Sequence, residues 1–353
     1  MMFQLLLLFF LGIFSSFFLI YIFSKLFYKL NLLDNPVKYN KKRLPIPYSM
    51  GVVFFIGFLI LSYFFIDHNY KLYLLWLFGG IITLVSFIDD RLNISPKIRL
   101  LMQIIIGATI GLTAIKVGYV SNIFGGIIDL DTFFIELFQY KIYIVSLIFT
   151  IIWYVFIFNS LNWTDGIQGN TSGLSFISFF VLFLLGLKLY FTDEYVGGVE
   201  NAKFILSLTT LLMAILLPFF YFDYKEKILM GDAGTMFLGF MLASLAIISG
   251  GKVATVLVVF GMYAIDAIYV ISTRLKNKKN PLQGDFTHLH HRLLQLGLSK
   301  NQVLVFLFSF SFLFGVSSLF LEKEGKIILF IGMIFFVIFS PKILAKFLSH
   351  EKK

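Results

Sequence analysis

Residues 142–169 read IYIVSLIFTIIWYVFIFNSLNWTDGIQG, and the change of character along this stretch decides the fold. Positions 142–158 are apolar apart from scattered Ser, Thr and Tyr, a run that suits a helix crossing a hydrocarbon core roughly 30 Å thick. The run stops in Asn159, Asn162 and Asp165, with Gly166 and Gly169 close behind. Residues three apart on a helix share a face, so the two amides lie on one side, and Asp165 continues that side where the glycines let the backbone turn. A polar C-terminal cap would need fewer polar groups than this.

The same pattern recurs along the chain. Ten further apolar runs lie near 2–27, 49–66, 72–88, 98–115, 171–189, 201–218, 233–249, 253–272, 302–320 and 327–341. With 59% hydrophobic and only 14% charged residues, the 353-residue chain lacks the polar shell of a soluble domain. In lipid every backbone donor and acceptor must be satisfied within its own segment, so the runs are predicted to be helices. The expected fold is an all-α polytopic integral membrane protein of about eleven transmembrane helices, a single transmembrane domain over 1–353. If the N-terminus is outside, the segments 24–48, 89–99, 218–231, 273–300 and 342–353 are cytoplasmic and carry 21 of the 29 Lys and Arg, the asymmetry of the positive-inside rule. The C-terminus is then cytoplasmic too.

Several function classes drop out. The net charge of +10 is spread over short loops and forms no basic domain, so no nucleic-acid partner is expected. The absence of Cys removes disulfides and thiolate metal sites, leaving oxygen or imidazole ligands for any metal. The first run, to about Phe27, lacks a basic n-region and a small-residue cleavage site and is expected to stay as a span. No internal repeat is apparent, which weighs against a transporter built from duplicated halves. A transporter would also hold its ionisable groups near the midplane, whereas here they gather at run ends. The outward segment 116–141 suits a short hairpin or interfacial helix.

Four polar clusters fall on the cytoplasmic side in this topology. Asp89-Asp90 closes the third run; neighbouring carboxylates repel, so a cation is expected nearby, with a metal ion, Lys97 or Arg99 as candidates, unless the pair is a solvated helix cap. Asn159, Asn162 and Asp165 offer the oxygen donors that a hard divalent ion takes. Gly231-Asp232-Ala233-Gly234 opens the eighth run, where Asp232 reads as an N-cap or a metal ligand and the glycines admit a phosphate to the backbone amides. His288-Leu289-His290-His291-Arg292 follows Arg274 and a Lys-rich loop. The positive-inside rule accounts for the lysines but not for three of the chain's five histidines, and phosphate binding suits this segment better than zinc. Asp266, within the ninth run, is costly in lipid and is expected to face the bundle interior, partnered by a Tyr or Ser.

In this order the clusters resemble the polyprenyl-phosphate N-acetylhexosamine-1-phosphate transferase superfamily, with its paired Asp, Asn-x-x-Asn-x-x-Asp-Gly stretch, Gly-Asp-x-Gly turn and His-rich loop. The resemblance takes in Asp34-Asn35-Pro36, Pro45-Ile46-Pro47 to Gly51, and Ser95-Pro96-Lys97. It implies transfer of a sugar 1-phosphate from a UDP-N-acetylhexosamine to undecaprenyl phosphate with release of UMP. This is the first membrane step of a cell-surface glycan, at the cytoplasmic face of a bacterial inner membrane. Mg²⁺, or Mn²⁺, is the implied cofactor, with Asn162 and Asp232 as ligands. Asp89 would be a base or would orient the lipid phosphate, and Asp90, Asn159 and Asp165 would complete the acidic site. Lys97, Arg274, His288, His290 and His291 would neutralise phosphates. Membrane lipids and a second copy in a homodimer are the other implied partners. The His288-Leu289-His290-His291 spacing looks like the UDP-GlcNAc branch, whereas three consecutive His would indicate the phospho-MurNAc-pentapeptide translocase, the alternative enzyme. Lys42, Met50-Gly51 and Gln168 depart from the family pattern, which has His, paired Gly and Asp or Asn at those places.

Overall fold

Capping residues set where the apolar runs become helices. In the computed structural model, which describes residues 1–39, 42–121, 126–192, 198–250, 257–258, 260–278 and 287–351, eleven helices follow the eleven runs. They are α1 Met2–Lys29, α2 Val52–Phe65, α3 Tyr70–Leu92, α4 Pro96–Gly111, α5 Ile144–Asn162, α6 Asn170–Phe191, α7 Gly198–Tyr224, α8 Gly231–Ile248, α9 Gly261–Lys276, α11 Lys300–Phe320 and α12 Lys323–Glu351. The remaining helix among the described residues, α10 Leu289–Gln295, lies in the histidine segment. Asn69 opens α3 by accepting from the Leu72 amide, Ser95 opens α4 ahead of Pro96, and Ser299 with Gln302 forms a reciprocal capping box on α11. Asn93 ends α3 in the left-handed conformation at φ 51°.

Eight of these helices, α1, α3, α5, α6, α7, α8, α11 and α12, are long and apolar enough to cross a membrane, as in a multi-pass membrane protein. The other three run-derived helices are shorter, with 14 residues in α2 and 16 each in α4 and α9. At about 1.5 Å per residue they fall short of the hydrocarbon thickness if upright. The start of the ninth run, 253–256, and the loop positions 279–286 lie outside the described residues.

At the centre stands α8, which packs against α2, α3, α5, α6 and α7 and is buried along almost its whole length. A helix that is apolar all round belongs inside a bundle. Around it, α7 packs on α1, α2 and α6, and α4 on α5. The only β-strands among the described residues interrupt the all-α expectation at 119–143, where β1 Tyr119–Ser121 pairs with β2 Ile127–Asp129 and β3 Phe134–Leu137 pairs with β4 Tyr140–Tyr143, both antiparallel. Phe138 and Gln139 both take positive φ, as a two-residue hairpin turn of the primed type requires.

Polar ties mark the two ends of the bundle. At one end Lys71 Nζ donates to Asn201, Asn201 donates to the Ile248 carbonyl, and the Tyr119 hydroxyl donates to the Gly250 carbonyl. At the other end, Met50 and Gly51 amides donate to the Leu229 and Met230 carbonyls, laying the loop before α2 against the entry to α8. All four polar clusters lie at this second end.

Candidate active site

The site assembles around the first turn of α8. Gly231 enters the helix at φ +71°, and a Cβ there would meet Asp90 Oδ2 at 2.6 Å and the Ser49 Cα at 2.8 Å. Asp90, on the last turn of α3, uses this close approach: its Oδ1 accepts from the Asp232 amide at 2.9 Å and its Oδ2 from the Ala233 amide at 3.2 Å. The Tyr48 hydroxyl donates to the same carboxylate at 2.9 Å. Asp90 thus satisfies helix-start amides from a different element, a placement the helix dipole favours. The carboxylate expected to act in chemistry is occupied in holding α8 to α3.

Its neighbour Asp89 faces the other way. Asp89 Oδ1 accepts from the Ile94 amide at 3.0 Å, and Oδ2 pairs with Arg99 Nε at 2.6 Å. Arg99 Nη1 lies 2.9 Å from Asp232 Oδ2, so one guanidinium joins the two carboxylates. Asn162, at the end of α5, donates through Nδ2 to Asp232 Oδ1 at 2.8 Å and to Thr235 Oγ1 at 2.9 Å. Asp89, Asp232 and Asn162 therefore converge from three helices on one point. Lys97 is exposed on the first turn of α4, and the cation inside the cluster is Arg99, two residues further on. The acidic pair signalled that a cation was needed; spacing could not choose between the two basic residues.

Asn159 lies one helical turn before Asn162 and looks sideways, donating to Gln103 Oε1 at 2.6 Å and to the Val155 carbonyl at 2.8 Å. Gln103 in turn lines a pocket with Ile82, Val85, Met102, Ile106 and Met236, at whose polar end stand Asp89 and Arg99. Sequence reasoning assigned nothing to Gln103, a lone buried amide in an apolar helix.

Asp165 and the glycines after it form the second half of the site. Burial pushes the Asp165 carboxyl well above the usual carboxylate range, and the charges of Asp223 and Asp232 add to the rise. Thr171 Oγ1 faces it at 3.4 Å. Asp223, also missed by the sequence reading, accepts from the Gly169 amide at 3.1 Å and the Ser172 hydroxyl at 2.7 Å and so anchors the turn that leads into α6. Across from that turn stand the histidines. A Cβ on Gly166 would meet His290 Nε2 at 2.3 Å and His291 Nε2 at 2.9 Å, so only glycine admits this approach. The Trp163 ring lies 5.4 Å from the His288 ring, and His288 and His290 are near parallel at 6.0 Å. Burial, and then the neighbouring His291 and His288, push His290 well below the ordinary histidine value. Burial thus disfavours the charged form of His290 in the absence of a bound phosphate. Arg274 is buried in the last turn of α9. Asp266 partners His288, the Leu289 amide and Arg292 rather than a Tyr or Ser.

No three His, Asp or Glu side chains among the described residues form a ready metal cage. The donor set at Asp232 nonetheless fits a hard cation, because Asp89 and Asp232 already share a positive group, the Thr235 hydroxyl is beside them, and the Asn162 amide, whose Nδ2 faces Asp232 here, offers its oxygen once turned over.

Residues 72–250, from α3 through α8, match the sequence pattern of glycosyl transferase family 4. The chain belongs to glycosyl transferase family 4. Every residue of the Asp89, Asn162, Asp165 and Asp232 group falls inside the matched region, whereas the histidine segment follows it. Among relatives of this family 4 transferase, a Bacillus subtilis protein named as a probable undecaprenyl-phosphate N-acetylglucosaminyl 1-phosphate transferase is 29% identical over 273 residues, 75% of this chain and 70% of its own. The undecaprenyl-phosphate alpha-N-acetylglucosaminyl 1-phosphate transferase of Salmonella typhi is 27% identical over 300 residues, 81% and 75% of the two chains. The protein of that name from Escherichia coli K12 is 26% identical over 291 residues, 78% and 73%.

Proposed function

We propose that the protein transfers N-acetylglucosamine 1-phosphate from UDP-GlcNAc to undecaprenyl phosphate, releasing UMP, at the cytoplasmic face of a bacterial inner membrane. The observation that carries this reading is the Arg99-bridged pair Asp89 and Asp232 at one end of an apolar helical bundle. A cation placed there suits the phosphate of an acceptor that itself lies in the bilayer. The names of the relatives agree with it, and the same donor is favoured over a phospho-MurNAc-pentapeptide by the spacing of the histidines.

In the reaction, an oxygen of the lipid phosphate attacks the phosphorus that carries the sugar. The bond from that phosphorus to the bridging oxygen breaks, and the oxygen leaves on UMP. A phosphate monoester is already ionised at neutral pH, so the acceptor needs placing and screening more than deprotonation. Arg99 can neutralise the acceptor, while Asp89 sets the orientation of that guanidinium. Asp232 and Asn162 would hold Mg²⁺, which supplies charge screening for the two anions. Asp165, whose burial favours the protonated carboxyl, would stand on the nucleotide side rather than serve as a metal ligand. One diphosphate linkage replaces another, so the transfer runs readily in both directions.

Purified protein in nanodiscs, given UDP-GlcNAc, undecaprenyl phosphate and Mg²⁺, is expected to form UMP together with a lipid-linked GlcNAc diphosphate visible by mass spectrometry. Labelled UMP is expected to enter UDP-GlcNAc only when that lipid product is present. Release of UDP would mean attack at the sugar carbon and would overturn the proposal.

A further inference from the structure

One turn of α9 grips both halves of the second cluster. Tyr263 and Asp266 are three residues apart, hence on one face of the helix, and both are buried. The Tyr263 hydroxyl donates to Asn170 Oδ1 at 2.9 Å, and Asn170 Nδ2 donates to the Thr164 carbonyl at 2.8 Å, so this end of the turn holds the Asn162–Gly169 stretch. From Asp266, the carboxylate meets His288 Nδ1 at 2.9 Å, the Leu289 amide at 3.0 Å and Arg292 Nη2 at 2.9 Å, so the other end holds the histidine segment. The two segments belong to different parts of the chain, and α9 sets their register, with Trp163 against His288 and Gly166 against His290.

We propose that Asp266 is a positioning residue for the donor side of the transfer, acting through His288. The Asp266 carboxylate accepts, so His288 gives it the Nδ1 proton, and Nε2 is the ring nitrogen left to meet a ligand, donating to a phosphate oxygen when the ring carries its second proton. The same carboxylate fixes the ring plane by anchoring the Leu289 amide one residue on and Arg292 four residues on. The ligand that suits this place is the diphosphate of the nucleotide sugar, since His288 lies against Trp163 and so adjoins the Asn162–Gly169 stretch that carries a proposed metal ligand. The inference rests on the phosphotransferase reading for its substrate, but the geometry of the pair does not.

The test has two arms. In the first, Asp266→Asn, His288→Asn and the double variant are compared in nanodiscs for the KM of UDP-GlcNAc, the KM of undecaprenyl phosphate, and kcat. Each single variant is expected to raise the donor KM by about tenfold, with the acceptor KM held within about twofold. The double variant is expected to be no worse than either single one, because residues acting as one unit are not additive. Multiplicative losses, or equal losses on both substrates, would overturn the proposal. The second arm needs no variant of Asp266 and no turnover: histidine-labelled protein, with the His288 signal assigned by its loss in His288→Asn, is examined by nitrogen NMR. Protonation of His288 on Nδ1 is expected; protonation on Nε2 with Nδ1 bare would overturn the pairing. Absence of UMP formation by the unaltered protein, with the Nδ1 tautomer present, would defeat the phosphotransferase reading and leave the pair standing.

Discussion

Arg99 stands between Asp89 and Asp232, the place where a divalent ion would screen the same charges, so side chain and ion compete for one pair of carboxylates. Replacing it removes a competitor. Arg99→Gln is expected to bind Mn²⁺ at least about fivefold more tightly, read by electron paramagnetic resonance of the titrated protein, because one unit charge a few ångströms away is worth kilocalories near a protein surface. Turnover is expected to fall at the same time, through loss of the cation for the acceptor. Unchanged or weaker Mn²⁺ binding would show that the guanidinium and the ion occupy separate places. Asp232→Asn is expected to do the opposite, losing metal affinity and turnover while the protein still inserts and melts normally. Asp165 carries the pH dependence. Its folded-state pKa is raised above the ordinary 3.8, so the folded protein holds the proton more tightly than the unfolded chain. Stability from this group is complete below 3.8 and is lost as the pH rises through the raised value. Asp165→Asn removes that loss, and its melting temperature is expected to exceed that of the unaltered protein at neutral pH, with the gap closing in acid. A gap that widened in acid would contradict the assigned direction.

At the level of elements, the start of α8 is placed by backbone contact. A Cβ on Gly51 would lie 2.1 Å from the Gly234 Cα and 2.9 Å from the Met230 carbonyl oxygen, so the loop before α2 and the first turn of α8 touch main chain to main chain. Backbone cannot swing aside as a side chain can. Gly51→Ala is therefore expected to cost on the order of 2 kcal/mol or more and to remove activity, whereas Gly126→Ala, where nothing lies within 4 Å, pays only for its φ of +72°. Thermal unfolding of the two variants side by side checks this; equal losses would mean that the contact is not tight. The short helices α4 and α9 obey the same logic of placement over span. α4 brings Arg99 and Gln103 to α3, α5 and α8, and α9 brings Tyr263 and Asp266 to the histidine segment and the turn before α6. Apolar length alone signals neither contribution.

For the whole molecule, the orientation can be tested cleanly because the chain has no native Cys. Ser160, although at the site end, is buried, so the exposed positions Lys97, His68 and Glu324 serve as reporters. Single cysteines at Lys97 are expected to label only from the cytoplasm, and those at His68 and Glu324 only from outside. Labelling of Lys97 from outside would separate the site from cytoplasmic UDP-sugars. Much of this architecture was legible in the chain itself. Each of the eleven apolar runs holds a helix among the described residues, eight of them long enough to cross a membrane, because satisfying backbone groups in lipid is a local requirement that leaves its mark in each segment. The excess of Lys and Arg in alternate loops marked one end as distinct, and the polar clusters that interrupt the runs all proved to lie there. What tertiary structure alone decided was the pairing of those polar groups. Asp89 and Asp90 are adjacent in sequence and alike in composition, yet one meets Arg99 and the other caps α8, since their side chains leave α3 in different directions. Burial disfavours the charged form of His290, which no spacing of histidines reports. Arg99, Asp223, Gln103 and Asp266 are polar residues in largely apolar helices, and their partners come from other elements. A local pattern determines which backbone forms and which end is wet; which charge faces which is set by helix packing, where a shift of an ångström makes or breaks a contact.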